Sequence, residues 1–366
     1  MARVIGIDPG TVSFDLLGLD DGNVFMDMTI PSAELAADPQ KLVDILNAAQ
    51  PLDLVIGPSG YGLPWVTIKD FSDQDLFLFI LADARERGHI SVLGGMADMI
   101  VSLKATNLPV VFMPGVIHLP TIPAYRKANK IDLGTADKLC CVALGVFDQA
   151  RRHQIPYSET SFIFAEVGGA YTAVMAVQNG RVVDGLGGSV GGLGYYALGG
   201  MDGELAYLLD DFHKDVLFSG GVAFMTGQPT VAPEESLLLR SENPLVAEAW
   251  EALFEGVVKC VVAQMVAVPE PREILLSGRL CRSEAVQTEL TSRLQKFAPV
   301  RRVSGIADIA KEAAQGAALI ADGMVGGQHS DLVETMQLRQ ASGTVLDYLH
   351  INQAEAIRQK YLGETA

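Results

Sequence analysis

The chain has 366 residues, 49% of them hydrophobic and 19% charged, with 37 Gly but only 14 Phe, 9 Tyr and 2 Trp. That apolar content excludes extended disorder, and the length predicts two domains or one large one. The 44 acidic against 27 basic residues give a net charge of -17. Such a field repels nucleic-acid backbones and anionic lipid, so neither is expected as a partner, while a small anion can still enter a local positive niche.

The opening Met1-Ala-Arg-Val-Ile-Gly-Ile-Asp8 runs straight into a core-like strand with no signal-peptide pattern. It predicts that the mature chain begins here. Apolar runs are short or broken by charge, as Lys259 breaks Val257 to Val268, so no membrane span and a cytoplasmic location are expected. Cys140, Cys141, Cys260 and Cys281 contain no Cys-x-x-Cys and read as small core side chains.

Arg3 to Asp8, Thr11 to Leu19 and Asn23 to Ile30 read as a three-stranded meander, with Asp20-Asp21-Gly22-Asn23 supplying hairpin chemistry. Gln40 to Ala49 carries apolar residues at helical spacing, and Leu54 to Gly57 is a short buried strand. A helix over Gln74 to Arg87, a strand over Val110 to Met113 and a helix from Gly134 to about Ala150 follow. Near Ser161 the pattern restarts, with strands Phe162 to Val167, Ala170 to Val177 and Arg181 to Asp184. Asp8 and Glu166, Gly10 and Gly168, and Gly22 and Gly180 then match at a constant offset of 158, which argues for an internal duplication. A long helix from Asn243-Pro244 to Met265, a strand Glu273 to Leu276, and an Ala/Gly-rich helix from Ala310 to Met324 complete the second half. Domains are expected at 1–158 and 159–330, with residues 331–366 a helical tail on the core.

The strongest local signal is Asp8-Pro9-Gly10-Thr11-Val12-Ser13. A strand-end acid can hold a divalent cation, and a glycine turn with hydroxyl neighbours can approach phosphate oxygens; equally, Asp8 can simply cap a tight turn. Glu166-Val-Gly168-Gly169 supplies a second carboxylate and turn, and Leu276-Ser277-Gly278-Arg279 echoes Leu54 to Gly60. With its duplicated β-β-β-α-β-α pattern and these loops, the chain resembles the acetate and sugar kinase, Hsp70 and actin superfamily over about residues 1 to 325. The resemblance implies an α/β fold of two duplicated RNase H-like, actin-like ATPase domains around a central interdomain cleft. It implies ATP and Mg²⁺ as cofactors. It also places Gly10, Thr11 and Ser13 in the first phosphate loop, Gly168 and Gly169 in the second, and Ser277, Gly278 and Arg279 on the adenosine side. Asp8 and Glu166 become the metal carboxylates. The run Asn129 to Lys138, with the proline of Asp8-Pro9-Gly10, is similar to a largely archaeal family described as predicted butyrate kinases.

Arg126, Lys127, Lys130 and Lys138 put four cations within thirteen residues of an acidic chain, read either as an anion clamp or as a solvated basic loop. Arg126 and Lys130 are the clamp candidates. Asp137 opens a helix and is the candidate at the acceptor end, with Asp132 and Thr135 as the expected caps. Seven of the fourteen residues from Gly187 to Gly200 are Gly; this stretch reads either as a mobile loop, with Gly188 and Ser189 bounding the acceptor, or as a structural turn. The dinucleotide fingerprint, the P-loop, the G-x-S-x-G elbow (Gly57-Pro58-Ser59-Gly60 fails it) and zinc-type spacing of His89, His118, His153, His213, His329 and His350 are absent. The expected activity is a Mg-ATP-dependent phosphotransferase acting on a small molecule, a short-chain carboxylate such as butyrate being the candidate acceptor. The alternative is a nucleotide-dependent switch or assembly ATPase. The Ala-rich helix and apolar tail leave room for a homodimer.

Overall fold

A computed structural model describes residues 2–10, 12–57, 60–82, 99–210 and 212–363. Thr11, Pro58, Ser59, His89 and the last part of the helix expected over 74–87 lie outside the described residues. The strands are β1 (Arg3–Pro9), β2 (Ser13–Asp20), β3 (Asn23–Pro31), β4 (Leu54–Gly57), β5 (Val66–Thr67), β6 (Val110–Phe112), β7 (Ser161–Val167), β8 (Thr172–Gln178), β9 (Arg181–Leu186), β10 (Glu273–Ser277) and β11 (Val300–Arg302). The helices that matter here are α1 (Gln40–Ala48), α2 (Asp73–Ile80), α3 (Ala136–His153), α4 (Pro244–Gln264), α5 (Glu284–Leu294), α6 (Glu312–Met324), α7 (Ser330–Met336) and α8 (Ala354–Leu362).

The chain divides into two compact units, one of residues 1–131, 135–158 and 305–366, the other of residues 132–134 and 159–304. Each holds one mixed sheet, in the order β3-β2-β1-β4-β6-β5 and β11-β10-β7-β8-β9. In both, the first strand pairs antiparallel with the second and parallel with the strand after the first crossover. The match extends to details the sequence does not display. Asp21 and Gly22, and again Asn179 and Gly180, take positive φ, which gives both hairpins the turn whose twist suits their strands. Each hairpin also has an irregularity at the same place, between Gly18 and Leu19 and between Ala176 and Val177.

Residues 305–330, grouped with the second half from sequence, fold into the first unit. The reason is steric and lies in α6, where Ala313, Ala314, Gly316, Ala317 and Ala318 let backbones meet. A Cβ on Gly6 of β1 would stand 2.3 Å from the Ala318 nitrogen, and one on Gly316 would stand 1.8 Å from the Cys140 carbonyl oxygen on α3. Only glycine fits at either crossing. The tail joins the same unit: the Trp65 indole donates to the Leu338 carbonyl at 2.7 Å, and the Ser342 amide donates to the His118 carbonyl at 3.1 Å.

The second unit is built on α4, which starts at Pro244 behind the Asn243 cap and buries Trp250, Leu253, Phe254, Val257 and Val261 with Ile163, Ala165 and Val174 of its sheet. A buried side chain of the Leu or Phe class contributes about 1.5–3 kcal/mol, so this apolar stripe is a substantial part of the unit's core. The Trp250 and Tyr195 polar tips are satisfied by the Ser236 hydroxyl at 3.2 Å and the Val231 carbonyl at 2.8 Å. All four cysteines are buried and none forms a disulfide. Among the described residues no helix is long and apolar enough to cross a membrane.

Candidate functional site

In the first unit, β1 ends at Asp8 and Pro9, and the chain reverses through a turn in which the Gly10 amide donates to the Asp8 and Ser13 carbonyls at 3.1 and 3.0 Å. The Ser32 hydroxyl ties the Gly10 carbonyl at 2.7 Å. The Gly10 N–H is therefore spent on the turn itself. Asp15, opposite Asp8 in the register, is 1% exposed. It accepts from the Ser13 hydroxyl at 3.0 Å and from the Lys311 ammonium at 2.8 Å, while Lys311 also reaches Ser13 Oγ at 2.6 Å.

Asp137, in the first turn of α3, belongs to the same cluster. Burial pushes its carboxyl up, but the Lys138 ammonium at 2.7 Å and hydrogen bonds from Lys138 and the Thr135 hydroxyl outweigh that and hold it below the usual range. Asp8 goes the other way. Burial first, then the negative charge of Asp137, raise its carboxyl to about 7, against the pull of Lys311 and Lys138. Two neighbouring carboxylates driven apart in this way are what like charges in one low-dielectric site produce. A divalent cation would relieve that repulsion, and the donors are the hard oxygens Mg²⁺ takes, so the first-unit residues fit a magnesium ion. Among the described residues, no group of three His, Cys, Asp or Glu forms a protein-only metal cage. A nucleotide-bound Mg²⁺ needs only one or two carboxylates.

In the second unit the corresponding turn is closed by the Gly168 amide donating to the Tyr171 carbonyl at 2.9 Å. Glu166, 6% exposed, stands between two glycines: a Cβ on Gly168 would meet its Oε1 at 3.0 Å, and one on Gly278 would meet it at 2.7 Å. Gly278 has φ +93, so its position is closed to other residues on both counts. Ser277 pairs with Glu166 in the register, and its fully buried hydroxyl has no hydrogen-bond partner. Arg279 lies beside Gly169, its Cδ 3.5 Å from where a Cβ would be, and its guanidinium grips Glu234 at 3.1 and 3.2 Å. The structure thus brings Glu166, Gly168, Gly169, Ser277, Gly278 and Arg279 together in one unit, and Asp8, Gly10, Ser13 and Asp137 in the other.

The basic run separates into different roles. Lys127 is 3% exposed and donates to the Leu119 carbonyl at 2.8 Å and the Tyr348 hydroxyl at 3.1 Å, so it holds the tail and is not an anion clamp. Lys138 is committed to Asp137. Lys130 is exposed, and the Arg126 guanidinium lies 5.6 Å from the centre of the Tyr125 ring. Asp132 does not cap α3. It accepts from the Gly134 amide at 3.0 Å and from the Ser189 amide and hydroxyl at 3.1 and 3.0 Å. The glycine-rich stretch with Gly188 and Ser189 is accordingly a tied-down structure. A Cβ on Gly188 would strike Tyr171 at 2.6 Å, and one on Gly194 would stand 1.9 Å from the Ala170 carbonyl.

Lys311 and Asp15 were not legible as site residues. A single lysine ahead of an Ala-rich helix carries no spacing signal, and Asp15 reads as one more alternating position of β2. The available clue was an acid facing the interior of a strand that is otherwise apolar, Phe14, Leu16 and Leu17 being buried.

Over residues 6–351 the sequence matches the family described as protein of unknown function DUF1464, and the chain belongs to that family. No curated protein matches it. Among solved structures it is similar to a propionate kinase from Francisella tularensis, at 14% identity and a TM-score of 0.61 over 86% of this chain and 99% of that one. It is also similar to acetate kinases from Entamoeba histolytica (11% identity, TM-score 0.56, 81% of this chain and 87% of that one) and Porphyromonas gingivalis (12%, 0.56, 81% and 88%). The fold is therefore α/β, with two mixed sheets and helices, and is similar to that of these kinases, as the resemblance read from the sequence implies for the fold.

Proposed function

We propose that the protein is a Mg-ATP-dependent phosphotransferase whose acceptor is a small carboxylate of the butyrate type. The observation that carries the reading is the cluster of Asp8 and Asp137 with Lys138 and Lys311 at the strand end of the first unit. Phosphoryl transfer needs positioning and charge neutralisation more than covalent chemistry. The two lysines supply fixed positive charge, and Asp8 supplies a carboxylate that gains by meeting a cation. Mg²⁺, when bound, would neutralise phosphate charge at Asp8. On the second unit, Glu166 is assigned to magnesium, the Gly168-Gly169 turn to the nucleotide phosphates, and Ser277, Gly278 and Arg279 to the adenosine side. Asp137, held ionised by Lys138 and Thr135, is a weak base. That suits an acceptor that is already an anion at neutral pH better than a hydroxyl needing deprotonation. The kinase fold and the resemblance to predicted butyrate kinases support the same reading.

The test is ATP consumption with a panel of acetate, propionate, butyrate and a hexose, after thermal-shift screening with Mg-ATP. Stabilisation by Mg-ATP and turnover with a carboxylate are expected. Absence of nucleotide stabilisation, or equal ATP hydrolysis with and without every acceptor, overturns it, the latter in favour of a switch ATPase.

A further inference from the structure

Asp27 lies on β3 opposite Leu17 of β2, so it shares the face of the first meander that carries Leu17 and Asp15. To this face comes the segment by which the chain re-enters the first unit at Gly305 and leads into α6. Residues 306–310 form neither helix nor strand. Their five backbone amides are nevertheless all taken up, and by only two side chains: Gln315 Oε1 accepts those of Ile306 and Ala307 at 2.7 and 3.3 Å, and the Asp27 carboxylate accepts those of Asp308, Ile309 and Ala310 at 3.0, 3.0 and 2.7 Å. Gln315 also donates to the Ala307 and Ala310 carbonyls at 3.2 and 2.6 Å.

The next residue is Lys311, at the start of α6. Its ammonium meets Asp15 at 2.8 Å and Ser13 Oγ at 2.6 Å. It also stands 3.3 Å from where a Cβ on Gly10 would be, against the turn that follows Asp8. A lysine charge rides on a flexible four-carbon stem, so holding it in one place calls for a backbone fixed immediately before it. Three amides on one carboxylate are charge-assisted bonds and make a strong anchor for that backbone.

We propose that Asp27 is a positioning residue for phosphoryl transfer: by anchoring the backbone of 308–310 it holds the Lys311 ammonium on Asp15 and Ser13, at the turn that follows Asp8. What the charge of Lys311 does there rests on the phosphotransferase reading above, whereas the anchoring of Lys311 does not.

The test compares Asp27→Ala, Asp27→Asn, Lys311→Met and the Asp27→Ala/Lys311→Met pair in the full chain. Trp65→Phe, which loses the bond to the Leu338 carbonyl, is the control for lost stability in the same unit. Acylation of Lys311 by an amine reagent, read by mass spectrometry, is expected to run about tenfold faster in Asp27→Ala and less so in Asp27→Asn, which keeps one acceptor oxygen. The kcat for carboxylate phosphorylation should fall about tenfold in Asp27→Ala, with the carboxylate KM within about twofold, and recover in part in Asp27→Asn. Adding Asp27→Ala to Lys311→Met should cost no further kcat, since an anchor without its lysine has nothing to position. Trp65→Phe should keep the wild-type kcat. Unchanged acylation of Lys311 overturns the anchor. Faster acylation with an unchanged kcat, or an equal further loss in the Lys311→Met background, overturns the positioning role. If Asp27→Ala does not fold, Asp27→Asn decides by the same readouts. If the wild type phosphorylates no carboxylate, the functional reading has failed, and the acylation rate alone decides whether the anchor stands.

Discussion

The two hairpin ends share a backbone and differ in their side chains. Gly10 to Ser13 and Gly168 to Tyr171 close the same turn with the same hydrogen bond, 3.0 and 2.9 Å long, 158 residues apart. In the first unit the positions around that turn are Ser13 and buried Asp15, and Lys311 comes from α6 to meet them. The second unit has Tyr171 and Ala173 at the equivalent places, with Glu166 wedged between glycines. The difference teaches that the duplication supplied a turn, while charge was concentrated on one copy.

Four measurements would break or sharpen that contrast. The largest expected effect is that of Asp8→Asn. Phosphotransfer should fall by roughly 100-fold or more, the scale for losing a charge-stabilising group at a reacting centre. Thermal stability should hold or rise, since ionised Asp8 opposes folding above the ordinary carboxylate range. A variant that keeps its activity, or melts lower, breaks the charged-copy assignment.

Next comes acid stability, which should be a property of the first unit. His118 is 3% exposed, takes the Gly115 amide on Nδ1 at 3.2 Å, and has no partner at Nε2. Burial lowers its imidazole to about 4. The unfolded imidazole protonates near 6.5, so as pH falls from 6.5 to 4 the unfolded chain takes up the proton first. Stability due to this imidazole, fully present above that window, drains by about 3 kcal/mol through it; because Asp8, raised to about 7, gains stability over the same fall in pH, the measurement is made in Asp8→Asn. Hydrogen exchange should show first-unit amides loosening while β7 to β10 hold, and His118→Gln should flatten the profile. Uniform loosening of both units would contradict this.

A smaller loss, about 2 kcal/mol in urea unfolding, is expected for Lys311→Met, which strips Asp15 of its ammonium. The figure is kept below that of a fully buried pair because the lysine is 31% exposed. Ala173→Asp in the second unit should cost at least as much, because Ala173 is 1% exposed and the new carboxylate would be taken out of water. Equal tolerance of both changes would show that the pair does nothing. The smallest effect separates two serines. Ser13→Ala should lose about 1 kcal/mol with its bonds to Asp15 and Lys311, whereas Ser277→Ala, whose hydroxyl bonds nothing, should be neutral or slightly stabilising. A large loss at Ser277 would reveal a partner.

Most of the strands were legible because burial on alternating or both faces writes itself into Arg3–Pro9, Leu54–Gly57 and Glu273–Ser277, and because Asp21-Gly22 and Asn179-Gly180 are turn residues for a physical reason. The chain's return through α6 was legible only as an Ala/Gly-rich helix. Which sheet it would meet depends on where Gly6 and Cys140 lie in space, and no local periodicity carries that. The acids at the two strand ends were visible by their offset. Lys311 was not, because its partners are nearly 300 residues away, and Asp132 was misread as a cap because a capping aspartate and a latching one have the same sequence context.

The crossing of α6 over Gly6 also sets an order of assembly. β1 leaves the ribosome first, but the helix that covers it, seated on Gly6 and held to α3 at Gly316, is synthesised only after every strand of the second sheet. At ribosomal rates of about 5–20 residues per second, the Asp8 end of β1 waits on the order of tens of seconds for Lys311. The second unit, whose residues 132–134 and 159–304 are all made before α6, can therefore close before the first, and the charged cluster is completed only once Lys311 and α6 have emerged.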